Sequence, residues 1–123
     1  MEVVMYIIMN KDVKMSKGKC VAQGAHVACK AVLAASMFDS ESNIGKYFIE
    51  WLKGSYAKIV LKASVYEMKD LMSFQSNTYR WYQVIDEGRT EIPKGTLTAI
   101  AHLPWDKEII NKEYSQLANL GML

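Results

Sequence analysis

The fold is decided first by the stretch Val3-Val4-Met5-Tyr6-Ile7-Ile8-Met9, an unbroken apolar run near the start of a 123-residue chain. A continuous apolar run of this length, rich in β-branched residues, is typical of a strand that is buried on both faces. The run is far too short to span a bilayer, and it lacks the basic lead and the cleavage site of a signal peptide. We therefore expect a cytoplasmic protein that does not engage a membrane.

Outward from this strand, the chain alternates between helical and strand patterns, with no linker and no internal repeat. Helices are predicted at residues 16–37, 44–52, 64–72 and 104–117, and further strands at residues 57–62, 79–85 and 96–103. The order β-α-α-β-α-β-β-α predicts one α/β domain over residues 1–123, with helices on both faces of a four-stranded sheet. Only a ten-residue loop separates the last two strands. That is too short for a parallel crossover, so the sheet should be mixed.

The composition excludes some classes of function and leaves others open. Half of the residues are hydrophobic, 23% are charged, and the net charge is only +2. A domain that wraps duplex DNA is usually far more basic, whereas a local basic patch on a nearly neutral body can still steer a polyanion. The only histidines, His26 and His102, belong to no metal-binding motif, and no nucleophile elbow of the serine esterases is present. We expect neither a metal nor another cofactor.

Three lysines crowd the start of the first helix: Lys14, Lys17 and Lys19. The start of a helix carries partial positive charge and free N–H groups, so it repels lysine and attracts an anion. The cluster is therefore a candidate site for phosphate or an oxyanion, and a solvated lysine cluster is the alternative. A nucleotide-binding P-loop is excluded, because Val13 and Cys20 stand where that motif needs a glycine and a hydroxyl.

The first helix shows two stripes at helical spacing. Its predicted sheet-facing stripe is apolar and consists of Val21, Ala25, Ala28, Val32 and Ala35. The opposite stripe contains Lys19, Gln23 and His26 and continues to Lys30. These polar groups could bind phosphate or ribose oxygens, polarise a carbonyl group or move protons near neutral pH. The alternative is that they form only the solvent face of an amphipathic helix.

A second polar cluster follows the third predicted strand, in the loop Asp86-Glu87-Gly88-Arg89-Thr90, with Thr98 just downstream. Ligands of open α/β sheets tend to bind beyond the strand ends. A carboxylate there could orient water or act as a base, and Thr90 and Thr98 could donate to an oxyanion. The alternative is an ordinary turn in which Arg89 pairs with a neighbouring carboxylate.

Taken together, the two segments resemble one family. The segment from Lys14 to His26 resembles the signature Lys-Met-x-x-Gly-Lys-x-Ala-Ala-Gln-x-x-His. The segment Asp86-Glu87-Gly88-Arg89-Thr90, followed by Gly95-Thr96-Leu97-Thr98, resembles Asp-Ala-Gly-x-Thr with Gly-Thr-x-Thr. Both signatures belong to the second class of peptidyl-tRNA hydrolase, which occurs in archaea and eukaryotes. The likeness covers nearly the whole chain, and residues 37–83 are divergent.

The resemblance implies a three-layer αβα sandwich with a four-stranded mixed sheet, tRNA as the partner, and hydrolysis of peptidyl-tRNA to peptide and tRNA. It is also compatible with a homodimer. The catalytic residues that it implies are Lys19, His26, Asp86 and Thr90, and the substrate-binding residues are Lys14, Lys17, Gln23, Arg89 and Thr98. The alternative functions on the same fold are RNA binding without catalysis and a protein-interaction adaptor.

Three positions depart from the family pattern. Glu87 replaces a usual alanine and puts a second negative charge beside Asp86, from which we expect a raised pKa of Asp86. Val21 replaces an alanine, and Pro93-Lys94 shifts a proline by one position. None of these changes removes a group that the resemblance places in catalysis.

Overall fold

The computed structural model describes residues 1–74, 77–88 and 91–123. Four helices and six strands follow one another in the order β1 (Val3–Asn10), α1 (Lys17–Ser36), α2 (Asn43–Lys53), β2 (Lys58–Ala63), α3 (Val65–Ser73), β3 (Trp81–Ile85), β4 (Leu97–His102), β5 (Trp105–Asp106), α4 (Lys107–Glu113) and β6 (Gly121–Met122). Short 3-10 helices cover Thr78–Arg80 and Ser115–Asn119. No helix of the described residues is long and apolar enough to cross a membrane.

The strands form one mixed sheet in the order β3-β4-β1-β2-β6, and β5 pairs separately with the start of β1. β1 and β2 are parallel, while β4 is antiparallel to both β1 and β3. The strands β1, β2 and β3 therefore point the same way, and their carboxyl ends meet at one side of the sheet, here called the carboxyl edge. The prediction of a mixed sheet is confirmed, and a loop at this edge is where an α/β fold usually binds its ligand.

The predicted number of strands was wrong, because the sheet has six strands and not four. The two extra strands, β5 and β6, have two residues each and add to β1 and β2. A two-residue strand has no alternation that a sequence pattern could reveal. The last predicted helix is also divided, since α4 ends at Glu113 and a 3-10 helix follows it.

Helices cover both faces of the sheet, as predicted, and β1 supplies the centre of both cores. Alternate residues Met5, Ile7 and Met9 pack in a cluster with Val27 and Ala31 of α1. The intervening residues Val4, Tyr6 and Ile8 pack in the other cluster, with Met68 and Leu71 of α3 and Ile110 of α4. Because successive side chains of a strand point to opposite faces, one apolar run fills both layers.

The predicted apolar face of α1 was wrong at two of its five positions, Val21 and Ala25, which are exposed. The buried residues of this helix are Gln23, Val27, Ala31 and Ala35, whereas Val21 is 71% exposed. The alanine-rich helix offers several faces of similar hydrophobicity, so its spacing alone does not select the face that packs. The observed rotation brings Gln23 onto the sheet and turns the polar stripe toward β3 and β4.

Candidate active site

An ion pair between Lys19 and Asp86 lies at the carboxyl edge. Lys19 comes from the first turn of α1, where the Ser16 hydroxyl caps the helix by accepting a hydrogen bond from the Lys19 main-chain N–H. Asp86 follows the last residue of β3 directly. The Lys19 Nζ donates to Asp86 Oδ1 over 2.7 Å, and the two side chains are only 13% and 6% exposed. Sequence positions 67 residues apart are therefore joined in one largely buried contact.

The carboxyl group of Asp86 is held in its charged form. The hydrogen bond from Lys19 lowers its pKa below the ordinary value of 3.8, and the main-chain N–H of Gly88, which donates to Oδ2 over 3.0 Å, adds to the effect. The expectation that Glu87 raises this pKa was wrong, because the Lys19 contact outweighs any raising influence. Asp86 is therefore a carboxylate throughout the neutral range.

A second contact joins Gln23 of α1 to Thr98 of β4. The Gln23 Nε2 donates to Thr98 Oγ1 over 2.8 Å, and both residues are buried. The Thr98 hydroxyl in turn donates to the main-chain oxygen of Val84 over 3.3 Å. The buried amide and the buried hydroxyl thus form a hydrogen bond with each other, which explains why a polar residue of α1 can face the sheet.

The Lys19 and Gln23 contacts lie along one groove between α1 and β3, here called the catalytic groove. Its volume is about 290 Å³. The residues that line it are Lys19, Gln23, His26, Val84, Ile85, Asp86 and Glu87. His26 is exposed and borders the same space. The structure therefore brings together five of the predicted site residues: Lys19, Gln23, His26, Asp86 and Thr98.

Two contacts that sequence reasoning missed shape the loop after β3. The Ser16 Oγ donates to Glu91 Oε1 over 2.7 Å, and the Ser16 main-chain N–H donates to Glu91 Oε2 over 3.2 Å. Gly88 has a φ of 76°, and a Cβ there would lie 2.7 Å from the Cβ of Lys94. The loop is thus tied to the start of α1 and needs glycine at its turn. Ser16 was predicted only as a helix cap.

Four predicted site residues remain, namely Lys14, Lys17, Arg89 and Thr90. Lys14 and Lys17 are exposed at and before the start of α1, and their phosphate-binding role stays a prediction. Arg89 and Thr90 lie outside the described residues. Across the described ranges, no group of three or more His, Cys, Asp or Glu side chains could hold a metal ion. The site offers an ammonium group, a carboxylate, an imidazole and a hydroxyl.

This arrangement suits the hydrolysis of an ester or amide. A carboxylate fixed in its charged form can orient a water molecule, and a neighbouring ammonium group can stabilise negative charge on an oxygen. Both groups are partly withdrawn from solvent, which strengthens their electrostatic effect on a bound group. The exposed histidine on the same groove could transfer a proton.

Comparisons with known proteins agree with this chemistry. A family model described as peptidyl-tRNA hydrolase PTH2 matches residues 3–120. A Pyrobaculum aerophilum protein named peptidyl-tRNA hydrolase is 36% identical over 116 residues, which cover 91% of this chain and 92% of that protein. Proteins of the same name from Saccharolobus islandicus and Thermococcus sibiricus are each 34% identical; the matches cover 89% and 86% of this chain and 92% and 87% of those proteins.

Proposed function

This chain belongs to the family of peptidyl-tRNA hydrolase PTH2, and from that membership we propose that it hydrolyses the ester bond of peptidyl-tRNA. The products are a free peptide and a free tRNA that can be charged again. The observation that carries the proposal within the molecule is the Lys19–Asp86 pair, at 2.7 Å, on a groove between α1 and β3. The substrate is therefore a tRNA whose terminal ribose carries a peptide.

In the proposed reaction, a water molecule attacks the carbonyl carbon of the ester. Negative charge collects on the carbonyl oxygen, the bond from the carbon to the terminal ribose oxygen breaks, and that oxygen takes up a proton. Asp86 accepts a hydrogen bond from the water, orients it and is the first candidate for the base that takes its proton, while Lys19 stabilises the oxyanion or the departing oxygen. Thr90 assists Lys19 at the oxyanion. His26, which borders the same groove, is the second candidate for the base.

The remaining residues of the proposed site bind and orient the substrate. Gln23 and Thr98 fix each other through a buried hydrogen bond, and together they hold α1 at the correct distance from β4. Lys14, Lys17 and Arg89 contact phosphates of the tRNA backbone, where cations supply affinity without sequence preference. Contacts of this kind suit an enzyme that must act on many different tRNAs.

The setting of the reaction follows from its substrate. We propose that residues 1–123 act as one domain, because β1 pairs with strands from the middle and from the last quarter of the chain. We place the enzyme in the cytoplasm, where tRNA is used in translation. A homodimer stays a prediction, and it is tested by the molar mass of the purified protein in solution.

One assay tests the proposed function directly. The purified protein is mixed with N-acetyl-aminoacyl-tRNA, and the release of the N-acetyl amino acid is measured. We expect release by the unaltered protein and a loss of at least about a hundredfold in Asp86→Asn, which keeps the shape of the side chain and removes its charge. The tRNA affinity of this variant should change little, since the proposed phosphate contacts lie elsewhere.

A matched variant controls for damage to the fold. Asp70→Asn makes the same chemical change at an exposed position of α3 and should keep full turnover. An unaltered protein that binds tRNA without releasing the acid would support RNA binding without catalysis instead. A protein with neither activity nor tRNA affinity would support the adaptor function.

A further inference from the structure

The strand that leads into Asp86 forms an edge of the sheet. In the described part of the chain, β3 is the first strand of the order β3-β4-β1-β2-β6 and pairs only with β4. At the opposite edge, β6 covers β2. An edge strand presents a row of main-chain N–H and C=O groups to any extended chain that approaches it. β3 differs from an ordinary edge because its last residue adjoins the proposed catalytic carboxylate.

The alternation of an antiparallel ladder determines which groups of β3 point outward. The main-chain oxygen of Arg80 accepts from Leu103, and the main-chain N–H and oxygen of Asp86 bond to Thr96 and Gly95. Residues 80, 82, 84 and 86 therefore direct their main-chain groups toward β4. Gln83 and Ile85 direct theirs away from β4. Consistent with this, the main-chain oxygen of Gln83 accepts a hydrogen bond from Lys30 Nζ over 2.6 Å.

Grooves lie on both sides of this edge. The catalytic groove lies on the α1 side and includes Val84 and Asp86. A second groove of about 340 Å³ lies on the α3 side, and it includes Gln83, Leu97 and Val65. Ile85, which is 45% exposed, borders both grooves. An extended chain paired with β3 would place its alternate side chains over these two spaces.

We propose that the peptide part of the substrate binds to β3 as an added strand. This inference rests on the proposed function, because it assumes that the ester carbonyl lies beside Lys19 and Asp86. The peptide ends at that carbonyl, and β3 runs toward Asp86, so the added strand is parallel to β3. Its main chain bonds to the outward groups of Gln83 and Ile85. About three residues of extended peptide span the distance from Asp86 back past Gln83.

This mode of binding fits a substrate whose peptide sequence varies. Hydrogen bonds to the main chain give affinity that does not depend on side chains, whereas a closed pocket would select among them. The two grooves beside β3 are open, so side chains of different size can be accommodated. In the absence of substrate, the exposed hydrogen bond from Lys30 protects part of the edge from unwanted pairing.

The first test uses the unaltered protein and substrates of different length. tRNA is acylated with N-acetyl peptides of one, two, three and four residues. We expect kcat/KM to rise by about tenfold between one and three residues, as hydrogen bonds to the edge are added, and then to level off. A kcat/KM that does not change with length would overturn the proposal. Hydrolysis of the one-residue substrate would still support the proposed function, so the two failures are distinguishable.

The second test maps the pairing itself. A single main-chain N-methyl group is placed at the second or at the third residue of the three-residue substrate. Since only alternate residues of a strand face its neighbour, methylation at one of these positions should lower kcat/KM by about tenfold and at the other by less than about twofold. Equal effects at both positions would contradict strand addition and indicate a general steric requirement.

The third test alters the protein at Gln83. Gln83→Pro removes the outward N–H at an edge position where proline does not break the β3–β4 ladder, and Gln83→Ala removes the same side chain but keeps the N–H. The measured quantity is the ratio of kcat/KM for three-residue and one-residue substrates, which does not depend on the amount of active enzyme. The ratio should fall toward one in Gln83→Pro and stay high in Gln83→Ala. Equal ratios in both variants would refute a role of this N–H.

Discussion

At the scale of single residues, Lys19 and Asp86 each need the charge of the other. Each is largely withdrawn from solvent, and each supplies the main counter-charge that the other contacts over 2.7 Å. Changing one of them leaves the other as a poorly compensated charge, so the two act as a unit. The low pKa of Asp86 makes it a weak base but a permanent anion, which suits a group that orients water more than one that removes its proton.

The pH dependence of kcat/KM separates the two candidates for the base. The pKa of Asp86 lies below 3.8 because of the Lys19 hydrogen bond, so the carboxylate is lost only as the pH falls through that lower value. If Asp86 alone must be ionised, activity should stay level from pH 8 down to about pH 5. A decline at a pH well above that value would instead exclude Asp86 as the only group that must be ionised, and would favour His26 as the base. Initial rates at constant ionic strength provide the measurement.

At the scale of elements, α1 positions the site through its first turn and its rotation. Its first turn contains no acidic residue, and Asp86, which directly follows β3, takes the place of the anion that a helix start favours. The pairing of Lys19 with Asp86 leaves Lys17 exposed two positions earlier on α1, where it does not line the groove. This geometry favours a division of work in which Lys19 acts on the ester and Lys17 contacts the RNA.

The exposed lysine should therefore affect tRNA affinity through salt. Lys17→Ala should weaken tRNA binding several-fold and reduce the slope of log K against log salt by about 0.7 to 0.9, because one phosphate contact is lost. Titrations at several salt concentrations measure the slope. Lys112→Ala on α4, which removes a lysine that is 77% exposed, is the matched control and should leave the slope unchanged. An unaltered slope in Lys17→Ala would exclude a phosphate contact at this position.

The motif residues of the site were predictable from the sequence, but the orientation of α1 was not. The spacing of Lys19, Gln23 and His26 indicated one helical stripe, and the structure keeps these three on one groove. The burial of Gln23 depends on Thr98, which lies 75 positions away in the sequence. A contact so distant in sequence leaves no trace in the local periodicity of the helix, whose alanines permit more than one packed face.

At the scale of the whole molecule, a second polar cluster lies near the amino ends of β1 and β3, at the side of the sheet opposite the carboxyl edge. Arg80 is 4% exposed; its guanidinium bonds to Glu113 over 2.7 Å and to His102 Nε2 over 3.0 Å, and it lies 3.8 Å from the ring centre of Trp105. Burial lowers the pKa of His102 to about 3, so this histidine is neutral in the folded protein. The cluster joins the 3-10 helix before β3 to β4, β5 and α4, and none of its members lines the catalytic groove, so we expect it to act on stability.

The Arg80 cluster should control stability without controlling catalysis. Glu113→Ala leaves a buried guanidinium without its carboxylate and should lower the free energy of unfolding by about 3 kcal/mol. Glu108→Ala, which breaks an ion pair whose side chains are 77% and 80% exposed, should cost less than about 1 kcal/mol. Urea denaturation measures both values. Turnover of folded Glu113→Ala at low temperature should match that of the unaltered protein. A selective loss of turnover would show that the Arg80 cluster also influences the active site.

Because His102 is neutral in the folded protein, the free energy of unfolding should depend on pH. An unfolded histidine takes up a proton near pH 6.5, whereas the folded His102 does so only near 3. The unfolded chain therefore binds more protons between these values, and the contribution of His102 to stability falls as the pH falls from about 6.5 toward 3.

Sequence reasoning did not find this cluster, because its members come from separate segments and carry no motif.

The central position of β1 has a consequence for synthesis on the ribosome. This apolar strand is made before the other strands of the sheet, and its partners in β4 and β5 lie about 90 to 100 positions later in the chain. At about 5 to 20 residues per second, the strand waits on the order of 5 to 20 seconds before those neighbours exist. During that interval its seven apolar residues must be shielded by the exit tunnel, by α1 or by a chaperone. Slow codons between residues 37 and 97 would lengthen the exposure and should lower the yield of folded protein.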